Sequence, residues 1–518
     1  MLATTQTIGL SGLHAEQVTV EVDVVRTMPA FQIVGLADTA VQEARERIRS
    51  AVRNSGFAFP NRRIVVNLAP AFLRKQSPGF DLPMAIGVLC ASDQLKMPKE
   101  QGIILIGELS LNGMIQPVVG ALSIVLYAKK KGYTTVILPW GNRNEVSVVD
   151  GILVFGVQNL REVVELLEEN KETKARCQVG ESERKVVLEL LSTHSRQKGS
   201  EFLYIKGHAM AKRALEIAAT GGHNILFNGP PGSGKTMLAR ALKSLLPPMS
   251  LEEAMVVTQI YSVSGLLTSQ SPLVMDRPFR SIHHTASSIA LVGGGRQPRP
   301  GEISLAHKGV LFLDEIAEFP TEVLEVLRQP MEDRVMTISR THGTHTYPAS
   351  FMLVAAMNPC PCGYATDPEK ECRCSESRIQ RYQNKLSGPL LDRIDMFLEI
   401  PRLPFSTIVE EQVSDDVQVF QGLLDRISHA RELQNRRFST LGARTTVNAE
   451  MTNGEVQEFC VVTDDARVLL ERSVHEMKLS PRAYFKLLKL ARTIADLDES
   501  EKITRSHVGE ALLYRKRW

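Results

Sequence analysis

Gly229-Pro230-Pro231-Gly232-Ser233-Gly234-Lys235-Thr236 is the stretch on which the reading of this chain turns. It satisfies G-x-x-x-x-G-K-[ST] at every fixed position, and its surroundings give the pattern meaning. A short apolar run, Ile225 to Phe227, precedes it, and a helical pattern, Met237 to Leu246, follows. Glycines there let the backbone curl until its N–H groups point inward at phosphate oxygens. The helix N-terminus adds positive potential. In such a loop the lysine reaches the β and γ phosphates, and the hydroxyl after it holds Mg²⁺. Gly229 to Thr236 are therefore the expected cradle for ATP, with Lys235 on the phosphates and Thr236 on the metal.

Working outward, Val310-Leu311-Phe312-Leu313-Asp314-Glu315 supplies the second half of such a site. Four apolar residues predict a buried strand, and two carboxylates emerge at its C-terminal end, where ligands bind in parallel sheets. Adjacent acids at the end of a buried strand are costly unless a cation is near. Asp314 is the expected Mg²⁺ residue, and Glu315 is placed to orient and polarise the attacking water. Phe351 to Ala355 is a third strongly apolar run. Short strands buried on both faces, with helices between them, predict a parallel α/β sheet.

The rest of the chain divides around this unit. Val18, Val20, Val22 and Val24 alternate with polar residues, the period of a half-buried strand. Ala40 to Asn54 reads as a helix, Ile64 to Leu68 as a strand, Asp81 to Leu95 as a buried helix, and Asn112-Gly113 as a hairpin turn. Strand signals stop near Phe405, and Val417 to Gln434 and Thr463 to Trp518 read as helices. The expected architecture is a multidomain α/β chain. It has an N-terminal α+β domain over 1–170, a charged linker over 171–200, a P-loop α/β domain over 201–405 and a helical lid over 406–518.

Composition excludes little but excludes it clearly. The chain has 518 residues, 43% hydrophobic and 23% charged, as ordinary globular proteins do. No apolar run is long enough to span a bilayer, and Met1 to Gly12 lacks the pattern of a signal peptide, so the cytoplasm is the expected compartment. A net charge of +3 does not by itself argue for nucleic acid. Arg515, Lys516 and Arg517 read as a solvated terminus, and Arg45, Arg47, Arg49 and Arg53 as a solvated helix face. Of seven Cys, four (Cys360, Cys362, Cys372, Cys374) fall in one window, which in a cytosolic chain suggests metal before disulfide. Four thiolates suit a closed, structural Zn²⁺ site, although C-x-C is tighter than the usual spacing. Adjacent His283 and His284 are read as structural.

Together with Arg299 to His307 and Gly388 to Asp395, these motifs resemble the magnesium-chelatase-like AAA+ ATPases. Phe31 to Leu36, Val66 to Ala71 and Asp81 to Ala85 narrow the resemblance to the YifB/ComM branch, over essentially the whole chain. The resemblance implies a sensor role for Asn358, an arginine finger acting on a neighbouring subunit's ATP for Arg393, with Arg381 competing, and a sensor role for Arg482 in the lid. It implies that Arg277 to Arg296 is a loop insert and Val335 to Ala349 a hairpin, both facing a ring's channel, with Arg296 and Arg340 as candidate DNA contacts. It implies an N-terminal domain of the ribosomal-S5/Lon-protease-like fold. Phe80 and Asp81 stand near the place of the protease nucleophile and Ser77 has no evident lysine partner, so no peptidase activity is expected. The implied function is a hexameric, ATP-dependent DNA motor for branch migration in natural transformation. The alternative is a chelatase-type remodeller acting on a protein or metal-insertion partner. The loop of sigma-54-type activators is not found in the sequence.

Overall fold

The computed structural model describes residues 1–35, 39–71, 78–98, 102–180, 184–185, 200–268, 272–295, 299–340, 343–404, 416–439 and 445–515. The chain divides into two units. The first holds Met1–Thr193, Leu251–Met275 and Ser339–Tyr347; the second holds His194–Ser250, Asp276–Ile338 and Pro348–Trp518.

In the first unit the alternating valines do what their period dictates. β1 (Leu2–Ser11), β2 (His14–Val25), β3 (Ala30–Val34), α1 (Thr39–Asn54), β4 (Arg63–Ala69) and α2 (Asp81–Ala91) follow in order. The strands form a sheet of order β1-β2-β4-β3, antiparallel except for β3 with β4. Val18, Val20, Val22 and Val24 are buried in one core with Val41, Ile48 and Val52 of α1 and Leu82, Met84 and Leu89 of α2. The α2 helix stops four residues short of the expected Leu95, and Asp93 just beyond it is left-handed at φ 60°. A parallel three-stranded sheet follows, built from β5 (Ile103–Leu105), β6 (Thr135–Pro139) and β7 (Leu153–Val157), with α3 (Ala121–Lys130) between the first two. Gly113 takes φ 84° in the expected hairpin turn.

The linker reading needs correction at its start. After α4 (Leu160–Leu167), residues Lys171–Cys177 form α5 rather than linker, N-capped by Asn170, whose side chain accepts from Glu172 and Thr173 N–H. Cys177 is buried, and Thr173 Oγ1 donates to Glu165 Oε2 at 2.7 Å.

Two stretches from later in the sequence belong to this first unit. Ser262, in the helix Leu251–Val263, donates to the buried Glu145 Oε1 at 2.5 Å and accepts from Gly120 N–H at 2.9 Å. The other stretch is Ser339–Tyr347, part of the expected hairpin, whose strands Val335–Arg340 and Gly343–Pro348 pair as a two-stranded ribbon. His345 and Tyr347 on its return strand are buried beside the β1–β2 turn, where a Cβ on Gly12 would stand 3.0 Å from His345 Nδ1. Arg340 ends the first strand of that ribbon.

The second unit carries a five-stranded sheet. Its elements are α6 (Ala209–Gly221), β8 (Ile225–Asn228), α7 (Lys235–Leu245), β9 (Phe279–Ile282), β10 (Val310–Leu313), α8 (Arg328–Asp333), β11 (Met352–Met357), β12 (Met396–Glu399), α9 (Asp416–Ser439), α10 (Asp464–Glu476), α11 (Pro481–Leu497) and α12 (Arg505–Leu513). The strand order is β9-β10-β11-β8-β12, and every pairing is parallel. The pleat sends Phe227, Val310 and Phe312 to one core and Leu226, Leu311 and Leu313 to the other. Ala214, Ile217, Leu487, Ala491 and Ile494 of α6 and α11 join the first of these, so the C-terminal helices close over the same face as α6.

β9 corrects the reading of Arg277 to Arg296 as a loop insert, since its first residues are an edge strand of the main sheet. A short helix, Ser288–Val292, and a paired Gly293–Gly294 follow. Arg296 and Ser77 lie outside the described residues. Among the described residues, no helix is long and apolar enough to cross a membrane.

Candidate functional site

The P-loop joins β8 to α7, and its glycines stand where no other residue fits easily. Gly232 and Gly234 have φ 78° and 87°, and a Cβ on Gly229 would lie 2.2 Å from the Ile400 carbonyl oxygen. Lys235 Nζ donates to the carbonyls of Gly229 (2.7 Å) and Pro230 (2.9 Å) and to Asn358 Oδ1 (3.3 Å). Desolvation pushes this ammonium down to about 8, against the pull of Asp314 and Glu315. Buried Ser233 Oγ and Asn228 Oδ1 have no hydrogen-bond partner among the described residues. A cradle with a desolvated lysine, an orphaned hydroxyl and two left-handed glycines fits a phosphate chain.

The acidic pair stands at the end of β10, and register explains its neighbours. Leu313 pairs with Ile282, the last residue of β9, and with Ala355 of β11, which runs on to Met357, so the residues that follow the three strands emerge at the same end of the sheet. Thr236 Oγ1 donates to Asp314 Oδ2 at 3.2 Å, the pairing expected of two residues that hold one Mg²⁺. Glu315 is left-handed at φ 53°, ψ 49°, a conformation costing a non-glycine residue about 1–2 kcal/mol. Strain of this kind collects where a side chain must be aimed. His284 Nδ1 lies 3.3 Å from Glu315 Oε2, without the angles of a hydrogen bond. The sequence pattern read His283 and His284 as structural; what it did not show is their nearness to Glu315, which arises because His283 directly follows the strand flanking Val310–Leu313.

Asn358 directly follows β11, as expected, and faces Lys235. The chain then enters the cysteine loop. Gly363 has φ 87°, and a Cβ there would stand 2.8 Å from Pro231 of the P-loop. The sulfurs of Cys360, Cys362, Cys372 and Cys374 all lie within 4.8 Å of one another. The closest separations are 3.3 Å (Cys360–Cys362), 3.6 Å (Cys362–Cys372) and 3.7 Å (Cys360–Cys372). A tetrahedron with Zn–S of ~2.3 Å has edges of roughly 3.8 Å, and the three closest separations lie within about 0.5 Å of that edge.

Arg393 and Arg482 are brought together on Glu332. Arg393 Nη2 pairs with Glu332 Oε1 of α8, and Arg482 Nη2 lies 3.7 Å from the same oxygen. Among the described residues, neither guanidinium has a hydrogen bond or ion pair with the P-loop, Asp314 or Glu315. The Arg393 backbone is fixed: Asn224 Nδ2 donates to its carbonyl at 3.0 Å. Two residues on, Asp395 pairs with Lys486 Nζ at 2.8 Å and accepts from Asn224 N–H at 2.9 Å. Arg381 is exposed on the helix Glu376–Gln383. Arg515 departs from the reading of a solvated terminus, since burial lowers its pKa and Asp395 is its leading charge neighbour. Arg47 likewise leaves its solvated face: its Nε donates to buried Asp81 at 2.7 Å and its Nη2 at 3.0 Å.

A phosphate-binding loop, an acidic pair and an asparagine at the C-terminal ends of parallel strands, in this strand order, are the arrangement of an AAA+ P-loop domain. The description "Magnesium chelatase, subunit ChlI" matches residues 201–408, "Subunit ChlI of Mg-chelatase" matches 20–142, and the C-terminal part of that subunit matches 421–515. The chain is 42% identical to the uncharacterized protein YifB of Escherichia coli over 97% of this chain and 95% of that one. It is 41% identical to the competence protein ComM of Haemophilus influenzae, again over 97% and 95%. The magnesium-chelatase 67 kDa subunit of Heliobacterium mobile is 27% identical over 30% of this chain and 27% of its own length. The chain belongs to the YifB/ComM family of magnesium-chelatase-like AAA+ proteins.

Proposed function

We propose that this chain is an ATP hydrolase that assembles into a ring, a hexamer, and uses hydrolysis to move DNA strands. The observation that carries the ATPase reading is a pair of side-chain contacts around the P-loop, Lys235 Nζ with Asn358 Oδ1 and Thr236 Oγ1 with Asp314 Oδ2. MgATP supplies the phosphoryl group that is transferred to water. The backbone from Gly229 to Gly234 cradles the phosphates, Lys235 leaves its carbonyl partners to pair with them, and Thr236 and Asp314 hold the metal. Glu315 orients the attacking water and takes its proton, with Asn358 opposite. Arg393 and Arg482, placed together and off the P-loop, act on the nucleotide of a neighbouring copy. The cysteine cluster holds a structural Zn²⁺ that braces the loop against Pro231.

The DNA reading rests on the near full-length likeness to a protein named for competence. Arg340 and Arg296 are its proposed backbone contacts, and such binding weakens as salt rises. The cytoplasm is the proposed compartment. The test is ATP-dependent unwinding and branch migration on labelled forks and four-way junctions at low salt, with Lys235→Ala and Glu315→Gln as controls. Strand movement by the wild type, lost in both variants, supports the motor. Hydrolysis with no DNA binding or movement on any substrate overturns it in favour of a chelatase-type remodeller with a protein or metal-insertion partner.

A further inference from the structure

Glu332 is a residue that no motif of the P-loop site includes, yet both arginines of that site converge on it. Its Oε1 is shared between Arg393 Nη2 and Arg482 Nη2. The two guanidiniums differ in how they are held. The Arg393 side chain is only 10% exposed, its Nη1 donates to the Pro389 carbonyl at 2.5 Å, and its buried Nε has no hydrogen-bond partner among the described residues. Arg482 is 66% exposed and sits in the first turn of α11, directly after Pro481. Glu332 is 48% exposed and lies at the end of the six-residue helix α8. A mostly buried arginine and an exposed one facing a single oxygen form an anion receptor, and the oxygen in it belongs to a side chain half in water.

We propose that Glu332 is an internal stand-in anion, which fills the Arg393–Arg482 receptor in the single chain and is displaced by a phosphate of a nucleotide bound to a neighbouring copy. This deepens the reading of the chain as an assembling ATPase and rests on it. A phosphate carries more charge and more acceptor oxygens than a carboxylate, so it wins the receptor when it can reach it. Until then the carboxylate neutralises two like charges that would otherwise repel each other on one surface. Glu332 is thus a positioning residue with a cost: every assembly event must first break its ion pairs. Glu325 accepts from Ser387 Oγ at 2.7 Å and pairs with Arg328, and it feels the charge of Arg393 without an ion pair to it.

The test uses the full chain and Glu332→Gln, which keeps shape and removes charge from a half-exposed position. Phosphate release from MgATP is followed over a protein dilution series, and assembly is followed by sedimentation with a non-hydrolysable ATP analogue. The expected result is half-maximal activity and assembly at concentrations roughly two- to fivefold lower in E332Q, the scale of partly exposed ion pairs, with Arg393→Ala inactive. Unchanged or higher concentrations in E332Q, or a fall in maximal rate toward that of Arg393→Ala, overturn the proposal and make Glu332 a structural brace. A wild type that assembles with the analogue but releases no phosphate sinks the ATPase reading, while the sedimentation comparison still decides the role of Glu332.

Discussion

Replacing Asp395 by alanine will destabilise the ATPase unit by about 3–4 kcal/mol. The carboxylate is nearly buried, and burial alone would raise its pKa, yet Lys486 and His223 hold it well below the usual carboxylate range. Its partners are Lys486 Nζ at 2.8 Å, Asn224 N–H at 2.9 Å and His223 Nδ1 at 3.9 Å. Removing one member of a buried ion pair costs about 3–5 kcal/mol, because the other charge is left in a poor dielectric. The Lys486 side chain is 18% exposed, which places this pair near the lower bound, and the orphaned Asn224 N–H adds about 1 kcal/mol. Urea unfolding followed by far-ultraviolet circular dichroism measures the loss. Lys486→Met removes the stranded ammonium, so the double variant should lose less than the sum of the singles by about 1–3 kcal/mol. Asn224 also holds the Arg393 carbonyl, so hydrolysis by Asp395→Ala should fall in conditions where it remains folded. A single variant costing under about 1 kcal/mol, with additive behaviour in the double, refutes the reasoning.

Further expectations follow from the same geometry. Gly363→Val forces a branched side chain into φ 87° and against Pro231, so KM for ATP should rise by roughly three- to tenfold; an unchanged KM in steady-state assays counts against the coupling of the cysteine loop to the P-loop. Atomic absorption should find about one Zn²⁺ per chain, with none after Cys372→Ser and the wild-type content in Lys235→Ala; metal-free protein purified without chelator removes the zinc site. Burial holds the pKa of His223 below its usual value, so the unfolded chain takes up the proton first as pH falls. The stability this neutral imidazole provides is complete above about pH 6.5 and is lost as pH drops below that, by at most about 1.4 kcal/mol per unit. Thermal unfolding between pH 8 and 5.5 should be less pH-dependent in His223→Gln, and parallel curves for the two proteins contradict the assignment.

The parts of the fold legible in the sequence are those where chemistry fixes the spacing. A phosphate cradle demands glycines and a lysine at set intervals, so Gly229 to Thr236 announce both a strand and a helix. Val310 to Glu315 is legible because four apolar residues followed by two acids suit little besides a buried strand that delivers carboxylates to a cation. The edge strand β9 escaped because Arg280 and Ser281 interrupt its apolar run, and an edge strand is not buried on both faces. β12, of sequence Met396-Phe397-Leu398-Glu399, escaped because four residues are too few to show a period. The helix Lys171–Cys177 lacks apolar periodicity, and its one local signal is the capping residue Asn170. Arg47 with Asp81, and Glu332 with Arg393 and Arg482, pair residues far apart in the chain. Nothing local marks such pairs, because the ion pair exists only once the sheet and helices have set the distances.

The most direct measurement of the central claim is phosphate release from MgATP by the full-length protein, with and without four-way junction DNA, beside Lys235→Ala and Glu315→Gln. The account predicts hydrolysis by the wild type that rises with junction DNA and with protein concentration, and neither variant should retain more than about one hundredth of it, as loss of a general base or a phosphate-binding lysine implies. Wild-type turnover that is absent, or that persists in both variants, would contradict it.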